Sequence, residues 1–204
     1  MQNTSKNQTL VVNARQRLLE TATELFAEKG YAGTSVREIV EKAGVSKPVL
    51  YYYFKSKDGL FYAILDWAAD AQQKILNEIF ESKGTVLDRF IILYRRVYEG
   101  IRQYQSLYIM IHGLIYGPPQ GVPEYDFLKY QRQMLDAVKR IYSEGVSAGE
   151  IRNADAEEVA FLVLGLMDFS LNIDMVQPDL ADPQRPERLL RLAFLGLNNG
   201  NSGK

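Results

Sequence analysis

Residues 46–57 read Ser-Lys-Pro-Val-Leu-Tyr-Tyr-Tyr-Phe-Lys-Ser-Lys, setting three consecutive tyrosines between cationic ends. Phenol rings pack on sugars, and phenol O–H and ammonium N–H groups donate to phosphate oxygens, so the chemistry on offer is recognition of a polyanion rather than bond-making. Bond-making has few footholds elsewhere. The chain has no Cys and one His, which removes thiolate catalysis, disulfides and Cys-ligated zinc or iron–sulfur sites. A single imidazole leaves no paired-His metal site, although carboxylate sites for Mg or Ca stay formally open. With no glycine-rich phosphate loop, and a Ser–His pairing possible only through His112, an enzyme would rest on carboxylates alone. The expectation is a non-enzyme without cofactor or metal.

Period and punctuation predict the elements that must hold this run. From Ala14 to Lys29, Leu18, Leu19, Ala22, Leu25 and Phe26 recur at three- and four-residue spacing opposite Arg15, Arg17, Glu20, Glu24 and Glu28, an amphipathic helix stopped by Gly30. Thr34 and Ser35 are competent N-caps, and Ser35 with Glu38 fits a capping box that opens a short helix with core face Val36, Ile39, Val40 and Ala43. Gly44 ends it in the left-handed region, and Ser46 caps a third helix in which Lys47 and Pro48 take first-turn positions. Two helices of about eight residues joined through Ala43-Gly44-Val45-Ser46 form a helix-turn-helix. Leu50 and Phe54 face inward, and at least one of Tyr51, Tyr52 and Tyr53 must be exposed beside Lys55 and Lys57.

Arg17-Leu18-Leu19, Ala22, Leu25-Phe26, Gly30-Tyr31, Thr34-Ser35, Ile39, Ala43-Gly44-Val45-Ser46, Leu50-Tyr51, Tyr53-Phe54 and Lys55-Ser56-Lys57 together resemble the TetR/AcrR family of transcriptional regulators over about residues 13 to 65. The resemblance implies an all-α homodimer with a three-helix DNA-binding head and a helical body that binds a small effector. It places Thr34, Lys47, Pro48, Val49, Tyr51, Tyr52 and Lys57 where the family contacts DNA, and Ser35, Ser46 and Lys55 complete the expected DNA-binding set. Pro48 departs from the small residue frequent there; it has no N–H to give a phosphate, but it does not harm the helix start.

Beyond residue 57 the resemblance carries architecture only. Asp58 to about Glu81 reads as a connecting helix, and breaks at 82–84, 117–123, about 148–149 and 178–186 leave helices near 85–115, 124–147, 155–174 and 186–198. The first is long enough to be two, with a break near Tyr104. The expected organisation is a disordered tail over 1–12, a head over 13–57, an effector-binding and dimerisation body over 58–198 and a disordered tail over 199–204, about nine helices in all. Eight tyrosines and two phenylalanines fall between Asp88 and Tyr142, which suits a ring-lined cavity for a flat, largely apolar ligand. Tyr94, Tyr98, Tyr108, His112, Tyr130, Met134, Asp168 and Asn172 are the candidate ligand contacts, although half-buried tyrosines, a core histidine and, for Asp168 and Asn172, a dimer hydrogen bond are competing readings. The segments 159–173 and 189–197 are apolar nearly all round, so a twin subunit is expected to cover them in a four-helix interface that uses Phe161, Leu164, Met167, Leu190, Phe194 and Leu197.

Charge agrees with this division. The chain carries 24 Lys and Arg against 25 Asp and Glu, yet residues 1–57 hold nine basic against five acidic groups, a basic head on an acidic body. Composition is that of a globular protein, the longest uncharged apolar stretch, Ala160–Met167, is too short to span a bilayer, and the polar start has no signal-type apolar region. The expected protein is cytoplasmic, with double-stranded DNA carrying a palindromic operator, a second copy of itself and an unidentified small effector as partners, and no membrane. A helical partner-binding protein whose head has lost DNA reading is the alternative; intact Thr34, Lys47, Tyr51, Tyr52 and Lys57 disfavour it.

Overall fold

Reciprocal capping opens the second helix: Ser35 Oγ accepts the Glu38 N–H at 3.2 Å while the Glu38 carboxylate accepts the Ser35 N–H at 3.1 Å. Gly44, at φ 63°, closes it, its N–H donating to Glu41 O and the Val45 N–H to Val40 O, so the last turn's carbonyls are satisfied by a Schellman pattern. Such signals divide the chain, whose computed structural model describes residues 3–118 and 121–195, into nine α-helices among the described residues. These are α1 (Asn3–Lys29), α2 (Val36–Ala43), α3 (Lys47–Phe54), α4 (Lys57–Glu81), α5 (Val86–Gln103), α6 (Gln105–Tyr116), α7 (Phe127–Ser147), α8 (Ala156–Val176) and α9 (Arg185–Leu195), with a 3-10 turn at Pro178–Leu180 and no strand among them. The all-α expectation holds, as does the break at Tyr104, whose φ of −126° and ψ of 50° leave the helical region. The expected tail over 1–12 does not: α1 starts at Asn3, and nothing from Asn3 to Asn13 is a glycine or proline that would break it. The tail expected over 199–204 lies outside the described residues.

The described chain forms two compact units, and α4 passes from one to the other between Ala71 and Gln72. The first, up to Ala71 together with Gln103–Tyr125, holds α1 to α3, the start of α4 and α6. Its core is Leu18, Ala22, Leu25, Phe26, Ile39, Leu50, Phe54, Leu60 and Phe61, all buried. Within it α6 packs on α1, so the contacts group a helix far along the sequence with the head. A cleft of about 350 Å³ opens where they meet, walled by Phe26, the glycines of the α1–α2 turn, Ile109 and Met110.

The second unit, Gln72–Arg102 and Asp126 onward, packs α5, α7, α8 and α9 around Phe90, Leu93, Tyr94, Val138, Ile141, Val163, Leu190 and Phe194. Buried Tyr142 braces the turn into α8, its hydroxyl accepting the Ala154 N–H at 2.6 Å and donating to Arg152 O at 2.9 Å. Arg89, also buried, donates to Glu144 at 2.6 Å and to Ile79 O, tying α5 to the end of α4 and to α7.

Helix α8 corrects one expectation. By length and composition alone it passes for a membrane span, as the core helix of a soluble protein also does, although Asp168 and Asp174 interrupt its uncharged runs. Its apolar residues also divide by face. Met167 on α8, with Leu190 and Phe194 on α9, is buried in the protomer's own core and cannot belong to a presented dimer surface, and Leu164 is half-buried. Of the five expected contacts among the described residues only Phe161 is exposed, at 60%; the residues that join it are Leu162, Phe169, Val176 and, on α9, Leu192. Leu197 lies outside the described residues. Asp168 is exposed on α8 beside this apolar surface, and Asn172 donates to its carbonyl at 2.9 Å.

Candidate nucleic-acid interface

Helix α3 is held by two anchors and presents the rest. Leu50 and Phe54, four residues apart, are buried; Ser46, Lys47 and Pro48 are exposed, Val49 and Tyr53 half-buried, and Tyr51 and Tyr52 exposed at 40% and 72%. Ser46 stands at the N-cap without a side-chain capping bond, which leaves its hydroxyl available for another acceptor or donor. The Lys47 ammonium leans toward the Tyr51 ring, 5.8 Å from its centroid, and Tyr52 packs edge-on against Tyr53 at 5.0 Å. The result is a short helix whose outward face is two phenols, a proline, a valine methyl pair and a cation.

The turn that follows is strained. Lys55 ends α3 at φ 66°, the one non-glycine residue with positive φ among those described, and its Nζ turns back to Tyr52 O at 3.3 Å. Gly59 is required four residues later: a Cβ there would lie 1.9 Å from Phe54 O, so only glycine lets the start of α4 come this close to the end of α3. Ser56 Oγ accepts the Gly59 N–H at 2.9 Å and caps α4.

Two expected DNA contacts are engaged inside the head. Thr34 is 2% exposed, and its hydroxyl donates to Gly30 O at 2.9 Å and Leu25 O at 3.2 Å, so it pins the α1–α2 turn rather than facing outward. Lys57 donates to Tyr31 O and Thr34 O at 3.0 Å each and lies 4.0 Å from the centre of the Tyr31 ring. The Tyr31 phenol in turn donates to Asp58, and burial first, then that carboxylate, pushes it well above the ordinary tyrosine range. Tyr31, Phe26 and Phe61 stack within 5.0–6.0 Å of one another, so loop, α1 and α4 meet at one aromatic joint. Ser35, though exposed, has its hydroxyl in the capping box.

Three cations of the head are neutralised: Lys29 by Glu38 at 2.8 Å, Arg37 by Glu41 at 2.7 Å and Lys42 by Glu24 at 3.0 Å. Among the described residues Arg15, Arg17, Lys47 and Lys55 have no carboxylate within ion-pair distance. Arg15 was not singled out by its sequence context, in which it is one more polar-face residue. In the structure its guanidinium lies 5.5 Å from the Phe54 ring, which brings α1 charge to the end of α3 beside Lys55.

The arrangement of α1 to α4 has known counterparts. Residues 18–64 match the bacterial regulatory proteins of the tetR family. The HTH-type transcriptional repressor KstR2 of Mycolicibacterium smegmatis is 30% identical over 147 residues, 68% of this chain and 67% of that protein. The chain belongs to the tetR family. A solved transcriptional regulator of the TetR/AcrR family from Thermobifida fusca shares the fold with a TM-score of 0.65 and 28% identity, over 93% of this chain and 98% of that one. So does the regulator FadR of Bacillus subtilis in complex with stearoyl-CoA, with a TM-score of 0.69 and 19% identity over 90% and 99% of the two chains. This tetR-family protein is therefore a DNA-binding transcriptional regulator and not an enzyme.

The expected ligand contacts of this tetR-family chain are drawn from both units. Tyr108 and His112 lie on α6 in the first unit, where His112 sits between the rings of Tyr108 at 5.8 Å and Tyr116 at 4.7 Å. Tyr94, Tyr98, Tyr130 and Met134 lie on α5 and α7 in the second, with Tyr94 and Tyr98 rings 5.6 Å apart. Asp168 and Asn172 go with the exposed face of α8.

Proposed function

We propose that this tetR-family regulator is a ligand-responsive repressor that binds a palindromic operator as a homodimer and leaves it when a small, largely apolar or aromatic effector occupies the body. The observation that carries the DNA half is the presented face of α3. Lys47, Pro48, Val49, Tyr51 and Tyr52 would enter the major groove, with Ser46, Lys55 and Arg15 on the flanking phosphates.

The exposed rings and aliphatic chains of α8 and α9 support the dimer. Phe161, Leu162, Phe169, Val176 and Leu192 make a surface more apolar than a monomer would leave in water, and a two-fold mate covers it with its own copy. Two α3 helices related in this way would meet successive major grooves about 34 Å apart. The effector half is supported by half-buried rings in the second unit and by the likeness in fold to a regulator solved with stearoyl-CoA. Its coupling to DNA through α4 needs to be only about 1–3 kcal/mol to change operator occupancy 5- to 150-fold. The protein acts in this reading in the cytoplasm, without a membrane partner.

The test is selection of bound fragments from sheared genomic DNA by the purified protein at two salt concentrations. Enrichment of one palindromic motif that weakens as salt rises is the expected result; no enrichment at either salt from a folded dimer refutes the reading.

A further inference from the structure

The cleft of about 350 Å³ in the first unit combines apolar walls with an unmatched negative charge. Phe26 and Met110, each 3% exposed, line it together with Ile109, an aliphatic residue left 41% exposed. The opposite side is the end of α1 and the turn that follows. Gly30 takes φ 73° there, and a Cβ on Gly33 would stand 2.4 Å from Lys29 O, so this side of the cleft is backbone. Phe26 O accepts the Gly30 N–H at 3.0 Å and Leu25 O the Thr34 hydroxyl, while the last turn of α1 keeps the partial negative charge of a helix C-terminus. Two charged side chains also line the space. The Lys29 ammonium is matched by Glu38 at 2.8 Å. The exposed Glu28 carboxylate has no cation within ion-pair distance among the described residues.

We propose that this cleft is a ligand site within the unit that carries α3, and that it takes a small hydrophobic cation such as an arylalkylammonium. The ring covers Phe26, Ile109 and Met110, and the ammonium N–H groups donate to the Glu28 carboxylate and to the carbonyl end of α1. A volume of about 350 Å³ stands at the lower end of the roughly 300–1,000 Å³ of small-molecule pockets. It holds one ring with a short arm and not a long acyl chain. An anion is disfavoured because Glu28 and the helix end both repel it, and a neutral isostere fills the same space but leaves Glu28 unmatched. The proposal stands whether or not the body holds an effector of its own.

Three matched probes test this on the full-length protein: phenethylammonium, phenethyl alcohol and phenylacetate, titrated at neutral pH and low salt and followed by NMR of labelled methionine methyl groups. The chain has five methionines, and Met110→Leu assigns the resonance that reports on the cleft. The ring current of the probe should shift the Met110 methyl, with the ammonium binding about fivefold more tightly than the alcohol and phenylacetate most weakly. Raising salt should contract that order. Glu28→Gln should bring the ammonium to within about twofold of the alcohol and leave the alcohol unchanged. Since Glu28 is exposed and makes no ion pair, this variant should melt as wild type does, which certifies its fold. Ile109→Ala should weaken ammonium and alcohol by a similar few-fold factor. A Met110 methyl that no probe moves, or shifts confined to Met134 and Met167 of the second unit, overturns the site. Equal affinity for ammonium and alcohol, or an ammonium preference that survives Glu28→Gln in full, overturns the assignment of a cation. Neither result touches the reading of the body as an effector domain.

Discussion

Replacing Lys57 and replacing Lys47 should fail in different ways, although both lysines fall where family members meet DNA. The Lys57 ammonium donates to two carbonyls at 3.0 Å, Tyr31 O and Thr34 O, and sits 4.0 Å over the Tyr31 ring. A hydrogen bond from a charged donor contributes about 1 kcal/mol or more at a half-buried site, and the ring contact adds roughly 0.5–1 kcal/mol. Lys57→Ala should therefore cost about 2–3 kcal/mol, which in a chain of this size lowers Tm by roughly 5–10 °C. Lys47 has only a loose ring contact at 5.8 Å and no carboxylate partner, so Lys47→Ala should leave stability within about 0.5 kcal/mol. Its effect belongs to DNA. If each Lys47 of a dimer neutralises one phosphate, removing both lowers the slope of log K against log salt by about 1.8. Thermal melts and salt titrations of operator binding on the two variants decide the matter. A Lys57→Ala protein that melts like wild type but loses the salt slope would refute the reasoning, since Lys57 would then be a phosphate contact whose internal bonds count for nothing.

The remaining predictions concern the cap, the charges around it and the dimer face. Gly44 has open space where a Cβ would go, so its glycine is needed for φ 63° alone; Gly44→Ala should cost about 1–2 kcal/mol in a denaturant titration, and Gly44→Asn less. The Lys29 ammonium first, and then the Ser35 backbone N–H, hold Glu38 down at about 2 from an ordinary 4.5. A carboxylate depressed by folding stabilises above its unfolded pKa, so this contribution should be full above pH 4.5 and fade as pH falls toward 2. It should be missing from the Tm–pH curve of Glu38→Gln, and because Glu38 is exposed, high salt should shrink it. Phe169→Glu should yield monomers in sedimentation with little change in Tm, whereas Leu190→Ala should cost about 2–5 kcal/mol through a cavity in the protomer's own core. A Phe169→Glu protein that stays dimeric would move the interface off α8.

What the sequence could tell follows from the range of the interactions involved. Caps, left-handed glycines and anchors four residues apart are local, so Ser35, Gly44, Leu50 and Phe54 announce α2, the turn and the buried side of α3 within twenty residues of chain. The engagement of a side chain by a distant carbonyl leaves no local trace. Thr34 looks like an exposed N-cap until Leu25 O and Gly30 O take its hydroxyl, and Lys57 looks like a phosphate contact until the loop 23 to 26 residues earlier takes its ammonium. Arg15 shows the converse, a polar-face arginine that only the crossing of α1 and α3 brings to the end of the presented helix.

The same argument explains α8. Periodicity shows α8 to be apolar on nearly all sides, but it cannot say which stripe the protomer covers itself. Val159, Val163, Met167 and Leu171 face α7 and α9, and Phe161, Gly165 and Phe169 are left exposed. Leu190 and Phe194 follow the same division on α9, buried against Phe90 while Leu192 faces out. Asp168 and Asn172 become intelligible only on this reading. Two polar groups placed on the exposed stripe of a nearly all-apolar helix fit a two-fold contact better than an effector pocket, because each can meet its own copy's neighbour across the axis and fix the register of an otherwise featureless apolar face. Asp168→Ala with Asn172→Ala should therefore leave effector affinity unchanged and alter the dimer, loosening it or letting its register slip, a change that sedimentation and operator-spacing preference would both detect.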